Sequence, residues 1–380
     1  MDEHSHNALA DAPVPLFPNT AWTPLKSPLA LSRVAIVTTA GLYSPGQVPW
    51  KRGDMSFRVL NSQDHEVSLG HQSANFDRAG FLADLNVAYP IDRLEEMRNA
   101  GKIGSLGPRN ISFMGAQGDT LDTIRIDSGP AAAKLLRDDG VEVALLTPMC
   151  PLCTRTLGAV AHVLEAEGIS TVMISLVESF SRRMRPPRVL HCNFPFGRAL
   201  GKPLDTKFQH EVLDSVFGLL DVTEGPVFEV FPVEIQDDGD TPMTCEMPVT
   251  FNDGKSAVVR EAIGLRAAYE RSLELHGKTL VTRKCNSDTI LEGITYLEGL
   301  SESGSSKEDW PLVTDIALDV RAYYEEAGSA LADHVVGARQ SDAWFFTKTE
   351  AGQILIKLQA RLRDDGVNRD VWFGIVPRGY

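Results

Sequence analysis

Two cysteines are separated by two residues in the segment Cys150-Pro151-Leu152-Cys153. Such a pair can supply two soft ligands to zinc or copper, but a closed zinc site needs two more. The chain has no second CxxC and no HxxxH, so His191 and Cys192 are the candidates to complete a metal site with Cys150 and Cys153. The pair can instead act as a redox dithiol. A thiolate is the nucleophile, and the partial positive charge of a helix N-terminus stabilises it. Placed there, Cys150 is the nucleophile, and Cys153, one turn on, resolves the adduct as a disulfide. A third reading makes both cysteines small buried apolar side chains. Their position just after a strand and at the start of a helix fits redox chemistry better.

The elements that place the pair are legible around it. Residues 141–146 form an apolar strand candidate, and residues 154–167 read as a helix that Gly168 ends. Further strands are expected at 34–37, 171–176 and 189–194, and helices at 91–100, 128–139 and 208–220. Residues 85–88 read as one more short strand. Alternating strands and helices predict an α/β fold, a Rossmann-like or flavodoxin-like parallel sheet with helices on its faces. Ligands of such sheets bind beyond the carboxyl ends of the strands, where Thr38, Thr39, Cys150, His191 and Asn193 fall. Residues 41–80 are polar and broken by Gly and Pro. A loop that long is expected to serve function or to contain short elements that the sequence does not show.

Three regions follow: an extended N-terminal arm (1–30), an α/β domain carrying CxxC (31–222) and a mostly helical C-terminal region (223–380). In the last, strands are expected at 227–235 and 247–251 around the acidic turn Asp237–Asp240. Helices are expected at 256–275, 289–300, 312–335 and 352–363, a polar linker at 301–307 and a short strand at 372–376. Tyr323, Tyr324, Trp344, Phe345 and Phe346 read as core or as the interface of a homodimer. The net charge of −14 argues against nucleic acid and anionic membranes as partners. No apolar run reaches the roughly 18 residues of a membrane span, and the acidic start lacks a secretory signal. Five cysteines, an odd and sparse set, do not make a disulfide framework and point to a reducing cytoplasm.

Several stretches carry a family resemblance: VAIVTTAGLY from Val34, GDMSFRVL from Gly53, DLNVAYPIDRLEEM from Asp84 and IGSLGPRNISFMG from Ile103. DDGVEVALLTPMCPLC from Asp138, EAEGISTVMISL from Glu165 and RPPRVLHCNFPFGRALGKP from Arg185 continue it. Over about residues 30–220 the chain resembles the selenoprotein B family of glycine, sarcosine, betaine and D-proline reductases. The resemblance implies that Cys150 holds the attacking position, often selenocysteine in the family, and that Cys153 holds the resolving one. Thr156 stands where some members carry a third cysteine. It also implies cleavage of a C–N bond beside a carboxylate, with a carbonyl-containing (pyruvoyl) partner subunit engaging the amine. Cysteine is a poorer nucleophile and leaving group than selenocysteine, so an easier substrate or a different bond is expected.

The expected function is therefore a cysteine-dependent reductase of a small molecule. Cys150 attacks, Cys153 resolves, and an external dithiol or thioredoxin-like donor restores the pair. No nicotinamide or flavin is expected, since no G-x-G-x-x-G follows the first strand. Arg109, in the GPRNISFMG turn, is the candidate clamp for a substrate carboxylate. His71 and His191 are candidate acids or bases. Thr38, Thr39, Ser112 and Asn193 are candidate hydrogen-bonding groups. Two alternatives stand beside this: a metal-binding protein using Cys150, Cys153 and His191 or Cys192, and a thiol–disulfide carrier or redox sensor.

Overall fold

The computed structural model of the chain describes residues 12–51, 53–117, 120–236, 243, 245, 247, 253–303, 310–332, 334–368, 371–372, 374–377 and 380. The chain divides into two units. The first spans Met1–Gln72 and Asp84–Gln236, and the second spans Ser73–Ala83 and Asp237–Tyr380.

The strands of the first unit are β1 (Arg33–Thr38), β2 (Leu42–Tyr43), β3 (Phe57–Asn61), β4 (Ser68–Leu69), β5 (Ser105–Leu106), β6 (Arg109–Phe113), β7 (Val143–Thr147), β8 (Ser170–Ser175), β9 (Arg188–His191) and β10 (Val227–Val230). The sheet runs β10-β9-β8-β7-β1-β6-β3, with β5 also on β1. All pairs are parallel except β3 with β6. Every residue of β7 and β8 is buried. Such unbroken burial, with no alternation, is what strands covered on both faces require. From β1 the chain builds outward to β6 and then crosses to β7, β8, β9 and β10 on the other side. This is a doubly wound order of flavodoxin-like type, and its direction reverses between β1 and β7. The Thr39 N–H donates to the Thr147 carbonyl at 3.1 Å and stitches those two carboxyl ends together.

The helices in chain order are α1 (Ala79–Ala83), α2 (Ile91–Asn99), α3 (Gly129–Asp138), α4 (Pro151–Ala166), α5 (Glu178–Met184), α6 (Thr206–Gly218), α7 (Ala257–His276), α8 (Ile290–Ser303), α9 (Trp310–Leu331), α10 (Ala338–Lys348) and α11 (Glu350–Asp364). The described part of the N-terminal arm lies on the first unit. Phe17 stacks on His162 with ring centroids 3.8 Å apart, and the Arg188 guanidinium lies 3.6 Å from the Trp22 ring centroid. The Thr23 hydroxyl donates to the Glu165 carbonyl at 2.6 Å. Beneath it Arg188 and Glu165 form a fully buried ion pair at 2.7 Å.

In the second unit α7 to α11 bury Tyr323, Tyr324, Trp344, Phe345 and Phe346. Tyr269 and Tyr323 meet at a tilt with ring centroids 4.7 Å apart, and Phe345 meets Phe346 edge-on at 4.8 Å. These aromatics are core of this unit. Among the described residues no helix is long and apolar enough to cross a membrane.

Several expectations need correction. Residues 85–88 are not a strand. Leu85–Val87 is a 3-10 turn, because the Asp84 carboxylate accepts the Asn86 N–H and caps it. The polar stretch 41–80, by contrast, does contain short elements, as expected for one of its two readings: β2, β3 and β4, runs of two to five residues too short to show a period. Helix α4 starts at Pro151, not 154, so Cys153 is inside it. Helices α5 and α10 were not expected at all. Among the described residues of 372–376 there is no strand. There the Gly374 N–H turns back onto the Val371 carbonyl, and the Gln359 amide holds the Trp372 carbonyl at 3.2 Å. The acidic turn Asp237–Asp240, most of 247–251 and residues 304–307 of the linker lie outside the described residues, while 301–303 close α8.

Candidate functional site

The site grows from the end of β7. Buried β7 delivers Thr147, Pro148 and Met149, and the chain then turns into α4 with Cys150 as the N-cap residue and Pro151 in the first turn. Proline suits that position, since its fixed φ fits a helix and its missing N–H is not needed there. The Cys153 N–H donates to the Cys150 carbonyl at 3.0 Å, which folds the two thiols onto each other. Their Sγ atoms are 3.1 Å apart. The Gly197 N–H donates to the Met149 carbonyl at 2.7 Å and ties the loop after β9 to this turn.

His71 reaches the pair from the other side of β1. β2 and β4 make a short antiparallel ribbon, and the Gly70 N–H donates to the Gly41 carbonyl at 2.9 Å. His71 follows directly, and its Nε2 lies 3.2 Å from Cys153 Sγ. The Thr39 carbonyl oxygen is 3.3 Å from the same sulfur. Cys150, Cys153 and His71 are at most 1% exposed. Gly115 forms the wall behind them, since a Cβ there would sit 2.3 Å from Cys153 Sγ. The Thr156 hydroxyl donates to the Gly115 carbonyl at 2.9 Å and fixes that wall.

The electrostatics divide the two thiols. Burial pushes both up, because a thiolate loses its hydration there. At Cys153 the Cys150 S–H and the His71 ring override burial and hold the thiol well below its ordinary value. Cys150 is pushed well up, by burial first and then by its hydrogen bond to Cys153 and the charge on that sulfur. The two shifts run in opposite directions, which favours a thiolate on Cys153 over one on Cys150. The Thr39 carbonyl offers the alternative, accepting the Cys153 S–H when that sulfur is protonated. The pair therefore has two proton arrangements within hydrogen-bond distance.

The other expected residues fall in different places. Thr38 donates to the Thr147 carbonyl at 3.2 Å, and Ser112 accepts the Leu42 N–H at 2.7 Å, so both serve the backbone. The buried Thr39 hydroxyl has no hydrogen-bond partner, which leaves a donor beside the thiols. His191 ends β9, where its Nδ1 is 3.1 Å from the Ser175 carbonyl and its Nε2 3.1 Å from Asn193 Oδ1. Burial lowers its pKa. Cys192 is buried, and burial pushes its thiol up. Arg109 starts β6, at the amino end of the sheet, and Asp139 grips it at 2.7 Å through two oxygens. The fold does not bring it to the cysteine pair.

Among the described residues, one group of three metal-capable side chains lies within 4.8 Å: His71, Cys150 and Cys153. His191 and Cys192 are not part of it. Sulfurs on a tetrahedral zinc lie about 3.8 Å apart, given Zn–S bonds near 2.3 Å. The observed 3.1 Å is closer than that. Gly115 and Thr156 were not singled out as site residues. The Gly in SFMG, just beyond β6, was the available signal for a close approach.

The sequence has relatives of known activity. It is 30% identical to D-proline reductase subunit gamma from Acetoanaerobium sticklandii over 225 residues, 58% of this chain and 92% of that subunit. It is 26% identical over 232 residues to sarcosine reductase complex component B subunit beta from Peptoclostridium acidaminophilum. It is 25% identical over 194 residues to glycine reductase complex component B subunit gamma from Carboxydothermus hydrogenoformans. These matches cover 52% and 43% of the latter two. No family model and no solved structure matches. With the α/β fold, the thiol pair at its switch point and a relative covered almost end to end, the chain belongs to the selenoprotein B family of glycine, sarcosine, betaine and D-proline reductases.

Proposed function

We propose that the chain is a dithiol-dependent reductase that cleaves a C–N bond of a small amino-acid-like substrate, as one component of a multi-subunit complex. The observation that carries this reading is the buried array His71–Cys153–Cys150, with 3.2 Å and 3.1 Å between its reacting atoms. Cys153, as the resting thiolate, takes the proton of Cys150, so Cys150 becomes the nucleophile when substrate arrives. Its sulfur forms a bond to carbon, and the C–N bond breaks. The amine leaves with a proton. Cys153 then gives up its proton and attacks Cys150 sulfur. The C–S bond breaks, its electron pair goes to carbon with a second proton, and the Cys150–Cys153 disulfide forms. The C–N bond is reduced by two electrons and the dithiol is oxidised by two. Of the two protons, one starts between the sulfurs and the other is delivered through His71. An external dithiol or a thioredoxin-like donor reduces the disulfide.

The relatives are named as reductase subunits, which supports a partner subunit; the family resemblance implies that such a partner engages the amine through a carbonyl. The test is dithiol-dependent consumption of D-proline, sarcosine and glycine by wild type and Cys150→Ser, with the complex reconstituted. Loss of at least about a thousandfold is expected on removing a covalent nucleophile. A Cys150→Ser rate close to wild type would overturn the reading.

A further inference from the structure

We propose that the N-terminal arm at residues 12–14 is a strap over the cysteine pair, which lifts to give access to the sulfurs. Cys150 and Cys153 are at most 1% exposed, so the closed chain presents neither sulfur to solvent. On one side their walls are held by sheet-end hydrogen bonds. The Thr39 N–H donates to the Thr147 carbonyl at 3.1 Å, and the Gly41 N–H to the Phe113 carbonyl at 3.0 Å. On the other side stand Pro151 and Leu152, the half-buried residues between the two cysteines. Leu152 packs on Val177 and Phe180, and so do Phe196 and, from the arm, Ala12 and Val14. The arm therefore closes the same apolar cluster that the cysteine turn joins.

The arm is held in a way that lets this part release alone. Residues 12–24 contain no helix or strand, and Pro13, Pro15 and Pro18 have no N–H to give to a ladder. Arg183 Nη1 donates to the Ala12 carbonyl at 2.9 Å, and Arg155 Nη1 to the Pro13 carbonyl at 2.7 Å. The following residues are anchored elsewhere. Phe17 stacks on His162, the Thr20 hydroxyl donates to the Arg185 carbonyl at 3.0 Å, and the Thr23 hydroxyl donates to the Glu165 carbonyl at 2.6 Å. Between strap and anchor Leu16 is 76% exposed. Segments with few buried contacts and no ladder open at a small part of the free energy of global unfolding. Arg155 also joins the strap to the thiol site. It is buried, and its Nη2 donates to the Gln117 carbonyl at 2.9 Å, two residues beyond the Gly115 that backs Cys153.

This inference concerns access to the sulfurs and stands whether or not they cleave a C–N bond. The test is the rate at which iodoacetamide alkylates the cysteine pair in the reduced full chain, read by peptide mapping. Cys192, buried in the same unit, is the internal control for general loosening. Arg183 is exposed, so Arg183→Gln removes its bond to the Ala12 carbonyl and keeps the fold. Alkylation of the pair should rise about two- to tenfold, the effect of one net hydrogen bond on the opening equilibrium. Val14→Asp puts a carboxylate into the apolar cluster and should raise it by at least about tenfold. Val14 also packs on the main core, so where Val14→Asp loosens the whole unit, Arg183→Gln decides. Cys192 should keep its wild-type rate in Arg183→Gln. An unchanged rate at the pair in Arg183→Gln, or an equal rise at Cys192, would overturn the proposal. Neither result touches the Cys150→Ser turnover test, so the two readings fail separately.

Discussion

His71→Asn isolates the charge that sets the thiol pair. The imidazole Nε2 is 3.2 Å from Cys153 Sγ. Opposite unit charges at that distance attract by about 5 kcal/mol at an effective dielectric of 20, and by about 1.3 kcal/mol with full water screening. One pKa unit is about 1.4 kcal/mol, so the imidazole should depress Cys153 by roughly one to four units. Asparagine keeps a polar side chain and removes the charge. Following thiolate ultraviolet absorbance against pH in Cys150→Ser and in Cys150→Ser/His71→Asn gives the shift directly. Using Cys150→Ser as the reference removes the second titrating sulfur. The midpoint should rise in the double variant by at least about one unit. A midpoint unchanged within a few tenths of a unit would refute the charge-pair argument and leave His71 as a packing residue.

Three further outcomes follow from the same contacts. Gly115→Ala places a Cβ 2.3 Å from Cys153 Sγ and 2.8 Å from Thr39 Cβ, so it should cost about 1–3 kcal/mol in chemical denaturation and slow closure of the disulfide. Arg188→Ala leaves the fully buried Glu165 without its cation and should cost about 3–5 kcal/mol, whereas Arg188→Ala with Glu165→Gln should recover part of that loss. Glu326 has a pKa raised to about 8, chiefly by burial. Its unfolded-state value is lower, so the folded form holds its proton longer and stability falls as pH rises between the two. Thermal melts from pH 5 to about 8 should therefore decline more steeply for wild type than for Glu326→Gln. Parallel declines would contradict the burial of a protonated carboxyl there.

The sequence carried the sheet because β7 and β8 hold apolar runs, 143–146 and 172–174, within strands buried along their whole length. It carried the cysteine pair because a CxxC after such a strand has few other structural uses. Its reading of the pair by helix position alone assigned the charge to Cys150, at the N-terminal edge of α4. The structure adds a second cation source, the His71 ring, which favours charge on Cys153 instead. No spacing rule joins residue 71 to residue 153. Their meeting depends on a ribbon made of two two-residue strands, which leaves no period to detect. Arg109 misled for a related reason. Its place in a family-like turn said nothing about which end of the sheet that turn occupies.

The measurement that bears most directly on the central claim is oxidation of the reduced, chelator-treated chain by a small-molecule disulfide, followed by peptide mapping. Wild type should release two thiol equivalents per chain and carry a Cys150–Cys153 link, with Cys192 and Cys285 unchanged. Cys153→Ser should stop at a mixed disulfide on Cys150. A stable adduct on wild type with no internal link, or modification spread over the other cysteines, would contradict a nucleophile and a resolving thiol at these two positions.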